Sequence, residues 1–494
     1  MPDEFIAIPA DFDWLTYVAI NPDLEKAGIN SRKKALDHWN STGRVEGRIY
    51  KLPDPRTFDW NSYLYLNPDL KDAGVTSERD ACLHWALSGE AEGRPHLPSD
   101  PFTLGRYLEH RAASSENYRL FGIRASRSAP RRINVLLDTP CNEIGGSDAP
   151  LAAADRLREA GYPVRILSCA PYRNLSRIQK LLGESPAWKG LAASADFQAL
   201  REDPEVKSHP DDIFISGSCW TAAAVKEGTR EHPGIRSLFI LSDFEPLFYP
   251  HSWEKILASY AGHLKIFSSS SLRDYMKDHY AGLFAVPLEM DPILFESPIP
   301  RYGIKERPRG KGEKKKLLLT AKPAAGRNSL RTAINGLGGA VQTGVLDPAE
   351  WDFDLLADWQ TEDLFILPKG ARVKRLKPRS LQELRALLPD YAAGLSVVLS
   401  PQPCPVSLEM AAAGLVTVVN TYLNRDAAFL KAISSNFVCV EAHPERITAG
   451  LAEAAGKAGD FQGKRAGAEI AWPRTWQDAW KPGGIERLLS WLRA

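Results

Sequence analysis

Between residues 133 and 455 short apolar runs alternate with helix-patterned stretches, and few architectures accept that alternation besides parallel sheets covered on both faces. The runs fall at 133–137, 162–167, 212–216, 236–241, 264–268 and 283–287, then again at 316–320, 351–357, 373–376, 394–399, 416–420 and 437–440. Helical patterns fill the intervals, at 148–160, 221–231, 252–260 and 271–279 in the first half and at 329–337, 380–388, 406–413 and 444–455 in the second. A basic, proline- and glycine-bearing stretch, RYGIKERPRGKGEKKK at 301–316, separates the halves and reads as an exposed linker. Anionic lipid or a polyanionic glycan would also suit such a run, but a second α/β series starts directly after it. The tail, 472–494, sets Trp472, Trp476, Trp480 and Trp491 on helical spacing, which predicts a final helix packed on another domain.

The first hundred residues follow a different rule. Phe12, Trp14, Tyr17, Asn21-Pro-Asp-Leu24, Gly28, His38-Trp39, Gly43 and Glu46-Gly-Arg48 recur as Phe58, Trp60, Tyr63, Asn67-Pro-Asp-Leu70, Gly74, His84-Trp85, Gly89 and Glu92-Gly-Arg94. A period in the forties predicts stacked helical units with two helical segments per copy. Matched Trp, Tyr and His read first as the core of each copy, and second as a glycan- or partner-binding face. Residues 101–130 connect this module to the rest, with a short helix expected at 104–113.

At 494 residues the chain needs about three domains. Lys+Arg 62 against Asp+Glu 61 gives no general pull toward nucleic acid. Six scattered cysteines without C-x-x-C spacing suit a reducing compartment. The acidic start, MPDEFIAIPADFDW, lacks a signal peptide's basic head, and no apolar run approaches the ~20 residues that span a bilayer. A cytoplasmic protein is expected, with peripheral contact with the inner face of the membrane left open.

Four loops carry chemistry. The one at 138–147 follows a strand and holds Gly145-Gly146, which lets a backbone approach a ligand closely; it is not G-x-G-x-x-G, and the acidic residue of a dinucleotide site is missing. Asp243 and Glu245 stand at the carboxyl end of a strand, where open α/β sheets place ligands. Lys322 and Arg327 flank a strand-to-helix turn, which suits a diphosphate. The stretch SPQPCPVSLEMAAAG, 400–414, joins a buried strand to a helix with Pro405 in its first turn. Its one carboxylate, Glu409, is read either as a ligand contact or as a surface residue favoured by the helix dipole.

Two doubly wound, Rossmann-like domains in tandem, preceded by a small all-helical repeat domain, match the GT-B glycosyltransferase architecture. Taken together, SDFEPLFYP at 242–250, KPAAGRN at 322–328 and SPQP…LEMA at 400–411 resemble the WsaF-type bacterial rhamnosyltransferases, relatives of glycosyltransferase family four. The domain boundaries expected are 1–100 for the repeats, 130–300 for the acceptor side, 315–475 for the nucleotide-sugar side and 476–494 for the terminal helix. The resemblance implies that Lys322 and Arg327 bind the donor diphosphate and that Glu409 accepts hydrogen bonds from ribose or sugar hydroxyls. It puts Gly145 and Gly146 beside the donor phosphate, Asn328 and Gln402 on the nucleotide-sugar, and Asp243 and Glu245 toward the acceptor. Family-four enzymes often carry a second glutamate where this chain has Gln402, an amide that cannot stabilise developing positive charge.

The implied reaction is transfer of a hexosyl group, a deoxyhexose such as rhamnose from a dTDP donor, to a bacterial surface polysaccharide or glycolipid. It is expected to retain configuration and to need no metal or cofactor, and the repeats would meet other polysaccharide-assembly proteins. If the reaction inverts, Asp243 or Glu245 is the candidate general base. Two other readings stay open: a non-catalytic glycan-binding scaffold on the same fold, and a sugar-nucleotide epimerase.

Overall fold

A computed structural model of the chain describes residues 12, 14–50, 58, 60–96, 121–137, 148–169, 178–179, 182–183, 185, 187–200, 203–248, 253–280, 293–304, 306, 313–320, 329–356, 363–376 and 381–493. Its contacts divide the chain into two compact units, Met1–Arg111 and Ala112–Ala494.

In the first unit each repeat copy folds into three helical pieces and a π-helical turn, one piece more than the sequence suggests. The first copy has Trp14–Ile20, Pro22–Lys26, Arg32–His38 and the turn Trp39–Gly43; the second has Trp60–Leu66, Asp69–Asp72, Glu78–His84 and the turn Trp85–Gly89. The extra piece arises because proline lacks an N–H to continue a helix, so the Asn-Pro step starts a new short one. The same interactions hold both copies. The Tyr17 hydroxyl meets His38 Nδ1 at 2.8 Å and the Tyr63 hydroxyl meets His84 Nδ1 at 2.8 Å. Asn21 Nδ2 donates to the Tyr17 and Ile49 carbonyls, as Asn67 Nδ2 does to those of Tyr63 and Pro95. Arg48 bridges Asp23 and Glu46, and Arg94 bridges Asp69 and Glu92. Tyr17 and Tyr63 are wholly buried, so these aromatic residues serve as core.

Glycine is required at 43 and 89 by close approach: a Cβ at either position would strike the hydroxyl of Tyr17 or Tyr63. Gly43→Ala should therefore destabilise by about 1–3 kcal/mol in urea unfolding, as overpacked cores do. Adding Tyr17→Phe, which removes the obstructing oxygen, should recover part of that loss.

The second unit holds two seven-stranded sheets. Its strands are β1 (Gly122–Ala125), β2 (Ile133–Leu137), β3 (Val164–Ser168), β4 (Asp196–Ala199), β5 (Glu205–Ser208), β6 (Ile213–Ser216), β7 (Arg236–Leu241), β8 (Leu264–Phe267), β9 (Ile293–Leu294), β10 (Lys315–Thr320), β11 (Trp351–Leu356), β12 (Asp363–Ile366), β13 (Arg372–Leu376), β14 (Ala393–Ser396), β15 (Val416–Asn420) and β16 (Phe437–Val440). One sheet runs β4-β3-β2-β6-β7-β8-β9 and is parallel throughout. The other runs β12-β13-β11-β10-β14-β15-β16, parallel except for its edge strand β12. The α/β, doubly wound expectation holds. Strand order reverses between β2 and β6 in one sheet and between β10 and β14 in the other. In open sheets the crevice at such a reversal is where ligands bind.

The tail departs from expectation. The final helix covers only Gly484–Arg493, because Pro473 and the Pro482-Gly483-Gly484 step break the earlier pattern. Trp472, Trp476 and Trp480 are anchored one by one instead. Trp472 Nε1 donates to Ser297 O at 3.0 Å, Trp476 lies 5.0 Å from Trp188, and Trp480 pairs with Phe295. Leu488 and Leu492 of the helix join the core beneath β2, β6 and β7. Arg236 and Arg131 donate to the carbonyls of Trp491 and Leu492, which closes the helix's orphan acceptors. The patterns at 104–113 and 283–287 lie outside the described residues.

One buried base sits away from both reversals. His263 is 2 % exposed, shares a 2.7 Å hydrogen bond with Ser237, and leaves Nε2 without a partner. Burial, then the charges of Lys265 and Lys226, lower its pKa from 6.5 to about 4. The unfolded chain thus binds the extra proton first, so stability falls as pH drops from 6.5 toward 4 and the loss is complete below that. A His263→Gln variant should show a flatter dependence of melting temperature on pH in that window.

Candidate functional site

The loop at 397–404 leaves β14 at the reversal of the second sheet and enters the helix Pro405–Ala412, with Pro405 at its first position. Gly414, at φ +86, ends that helix and turns the chain into β15. The loop is pinned from beneath by its own sheet. Asn420 Oδ1 accepts from Val398 N at 2.7 Å, and Arg425 donates to Val398 O at 2.7 Å and Ser400 O at 2.9 Å.

From the other side it is held by the first sheet. Ser269 and Ser271 follow β8: Ser269 Oγ donates to Gln402 Oε1 at 2.5 Å, and Ser271 Oγ donates to Pro401 O at 2.8 Å. Asn424 Nδ2 returns a bond to Ser271 O at 2.7 Å. Asp243, just beyond β7, accepts from the Ser400 hydroxyl and from Phe244 N. Asp243, Ser269, Ser400 and Gln402 are all buried. The two carboxylates expected across the cleft therefore separate. Asp243 spans the junction of the sheets, whereas the Glu245 carboxylate accepts from Cys219 N at 2.7 Å, at the start of the helix Cys219–Gly228 that follows β6.

Glu409 is 4 % exposed, which excludes the surface-helix reading. Arg385 Nη2 and Nε grip its Oε1 at 2.6 and 3.0 Å, and the Tyr302 hydroxyl donates to its Oε2. Burial, and then Glu409, push the Tyr302 phenol well above its ordinary pKa, so it stays a donor. A carboxylate offers about four acceptor positions, of which these three bonds take all but one. Of the other residues singled out in the sequence, Gly145, Gly146, Lys322, Arg327 and Asn328 lie outside the described residues. They belong to the segments that follow β2 and β10, the inner strands at the two reversals.

Sequence reasoning missed Tyr302, Arg385 and Arg425. Tyr302 lay in a stretch that read as solvent-exposed linker, and Arg385 and Arg425 sat in ordinary helix and turn patterns with no motif around them.

Residues 315–452 match the family model described as WsaF, C-terminal domain. The matched stretch is similar to that domain. It takes in β10 to β16 and with them the pinned loop, Arg385, Glu409 and Arg425. No curated protein matches the chain. Among solved structures, TarM aligns with a TM-score of 0.52 at 9% identity, over 75% of this chain and 100% of its own. Sucrose-phosphate synthase from Thermosynechococcus elongatus aligns at 0.44 and 13%, over 74% and 98%, and the trehalose-6-phosphate synthase OtsA at 0.46 and 12%, over 73% and 99%. At such identities the likeness is one of fold, and of these three it is TarM, above a TM-score of 0.5, that carries it.

Arg385→Ala would leave the buried Glu409 carboxylate without its cation. Because Arg385 is one-third exposed, the expected cost is about 2 kcal/mol in chemical unfolding. Adding Glu409→Gln should restore part of it, a coupling that a double-mutant cycle measures.

Proposed function

We propose that this chain is a glycosyltransferase that holds its nucleotide-sugar donor at the reversal of the WsaF-type domain. One observation carries the reading. Two adjacent parallel strands, β10 and β14, end at one reversal; Lys322 and Arg327 follow β10 in the sequence, and the pinned loop that follows β14 opens the helix Pro405–Ala412. Unpaired N–H groups at that helix start suit a diphosphate, and Lys322 and Arg327 are proposed to bind it as well. Glu409 is buried, anchored and left with one acceptor position, which suits a ribose or sugar hydroxyl. Asn328 and Gln402 are proposed to bind the nucleotide-sugar, and Gly145 and Gly146 to serve the donor phosphate.

The donor is proposed to be a deoxyhexose, rhamnose among them, on dTDP, and the acceptor a bacterial surface polysaccharide or glycolipid. In the transfer the bond from the anomeric carbon to the leaving phosphate oxygen breaks and one to the acceptor oxygen forms. Lys322, Arg327 and the helix start take up the charge that grows on the diphosphate, a role that asks for no metal. With retention, the leaving phosphate takes the acceptor's proton. With inversion Asp243, which stands between the sheets, is a better base than Glu245, which is committed to a helix start. The two repeats are proposed to form a helical domain that meets other assembly proteins on the cytoplasmic face of the membrane. Among the described residues no helix is long and apolar enough to cross it.

Lys322→Ala and Arg327→Ala should each lower donor hydrolysis and transfer by about 10²–10³-fold. A bound nucleoside diphosphate at 100 times its dissociation constant should stabilise the wild type by about 2.7 kcal/mol in a thermal melt. Unchanged activity in both variants overturns the assignment. No melting shift with any nucleotide favours the scaffold, and product without acceptor favours an epimerase.

A further inference from the structure

Arg425 is a cation inside the protein with no anion to match it among the described residues. It is 2 % exposed, and its bonds run to two backbone carbonyls, those of Val398 and Ser400. Among the described residues no carboxylate pairs with it. Asp243, the acid at the same loop, ends on the Ser400 hydroxyl from the opposite sheet. Other arginines with buried partners differ: the buried Arg165 lies 3.8 Å from Asp212 and bonds Asn134, and the half-buried Arg385 grips Glu409. The turn that directs Arg425 inward is itself strained, with Leu423 at φ +51 between the paired Tyr422 and Arg425 backbones.

Burying a guanidinium is costly, and two carbonyl dipoles repay only part of it. Here the cost is compounded, because the positive end of the helix Pro405–Ala412 opens from the same loop. Two like fields placed together in a low-dielectric site are favourable only when an anion sits between them. Burial lowers the pKa of Arg425 to about 10, with the thiols of Cys404 and Cys439 acting against it, so the group is still a cation at neutral pH.

We infer that Arg425 is the buried counter-charge for the diphosphate held at the 397–404 loop, a positioning residue that acts through the loop and through space without touching the ligand. The inference rests on the donor site proposed above and adds a third cation to Lys322 and Arg327. It explains why the loop carbonyls are tied to a guanidinium where a neutral amide would serve as a staple at lower cost.

The test uses the full chain and inorganic pyrophosphate, with binding followed by titration calorimetry and thermal melts. Wild type should bind. Arg425→Gln should bind at least about tenfold more weakly, and Arg425→Lys, which keeps the charge but loses the fork, should stay within about threefold of wild type. Asn420→Ala removes the loop's other pin without changing charge, and its affinity should also stay within about threefold. Arg425→Met, which fills similar space, supplies the neutral arm if Arg425→Gln does not melt cooperatively. Equal affinity in the neutral variants and wild type overturns the inference while leaving the donor site standing. Loss in Arg425→Lys as large as in the neutral variant, or the same loss in Asn420→Ala, reduces Arg425 to a staple and also overturns it. Absence of pyrophosphate binding in wild type sinks the donor site itself.

Discussion

The loop from Val398 to Gln402 is bonded to both sheets at once, through backbone and side chains, and the rest of the candidate site depends on that double attachment. Asn420 and Arg425 fix it from its own sheet, while Asp243, Ser269 and Ser271 reach it from the other. Buried backbone polar groups must find partners, and this loop finds them in two directions.

Besides Asp243, two buried charges near the loop are handled in opposite ways. Glu409 is matched by Arg385 and Tyr302, which fixes its rotamer and leaves one acceptor position. Arg425 holds two loop carbonyls and, among the described residues, has no carboxylate partner. A site that binds an anion gains from this asymmetry: the acid side is neutralised within the protein and the basic side is completed by ligand. Gln402 fits the same scheme. A carboxylate there would add negative charge next to Asp243, whereas the amide accepts from Ser269 and donates toward Ser268 O at 3.5 Å.

Much of the fold was legible because buried parallel strands leave an unambiguous trace. β7, β15 and β16 lie where apolar, branched runs predict them, and the helix Pro405–Ala412 starts at its proline. The strands missed in the sequence are all short: β1 and β12 span four residues each, β4 reads Asp-Phe-Gln-Ala, β5 reads Glu-Val-Lys-Ser, and β9 spans two residues. Their pairing comes from tertiary context, which propensity does not encode. The tail misled because tryptophans at helical spacing can equally be single anchors once Pro473 and Pro482 interrupt the helix. In the site, Glu409 was visible in its motif, but its partners were not. Tyr302, Arg385 and Arg425 come from three separate segments, and only the folded chain brings them to one loop.

The central claim is where the donor binds. Hydrogen–deuterium exchange of the full chain, with and without dTDP, UDP and GDP in turn, tests it most directly. One of the three should slow exchange in peptides covering 315–342 and 397–412 and leave 148–169 unchanged. Protection confined to the first sheet, or none with any of the three, would contradict the account.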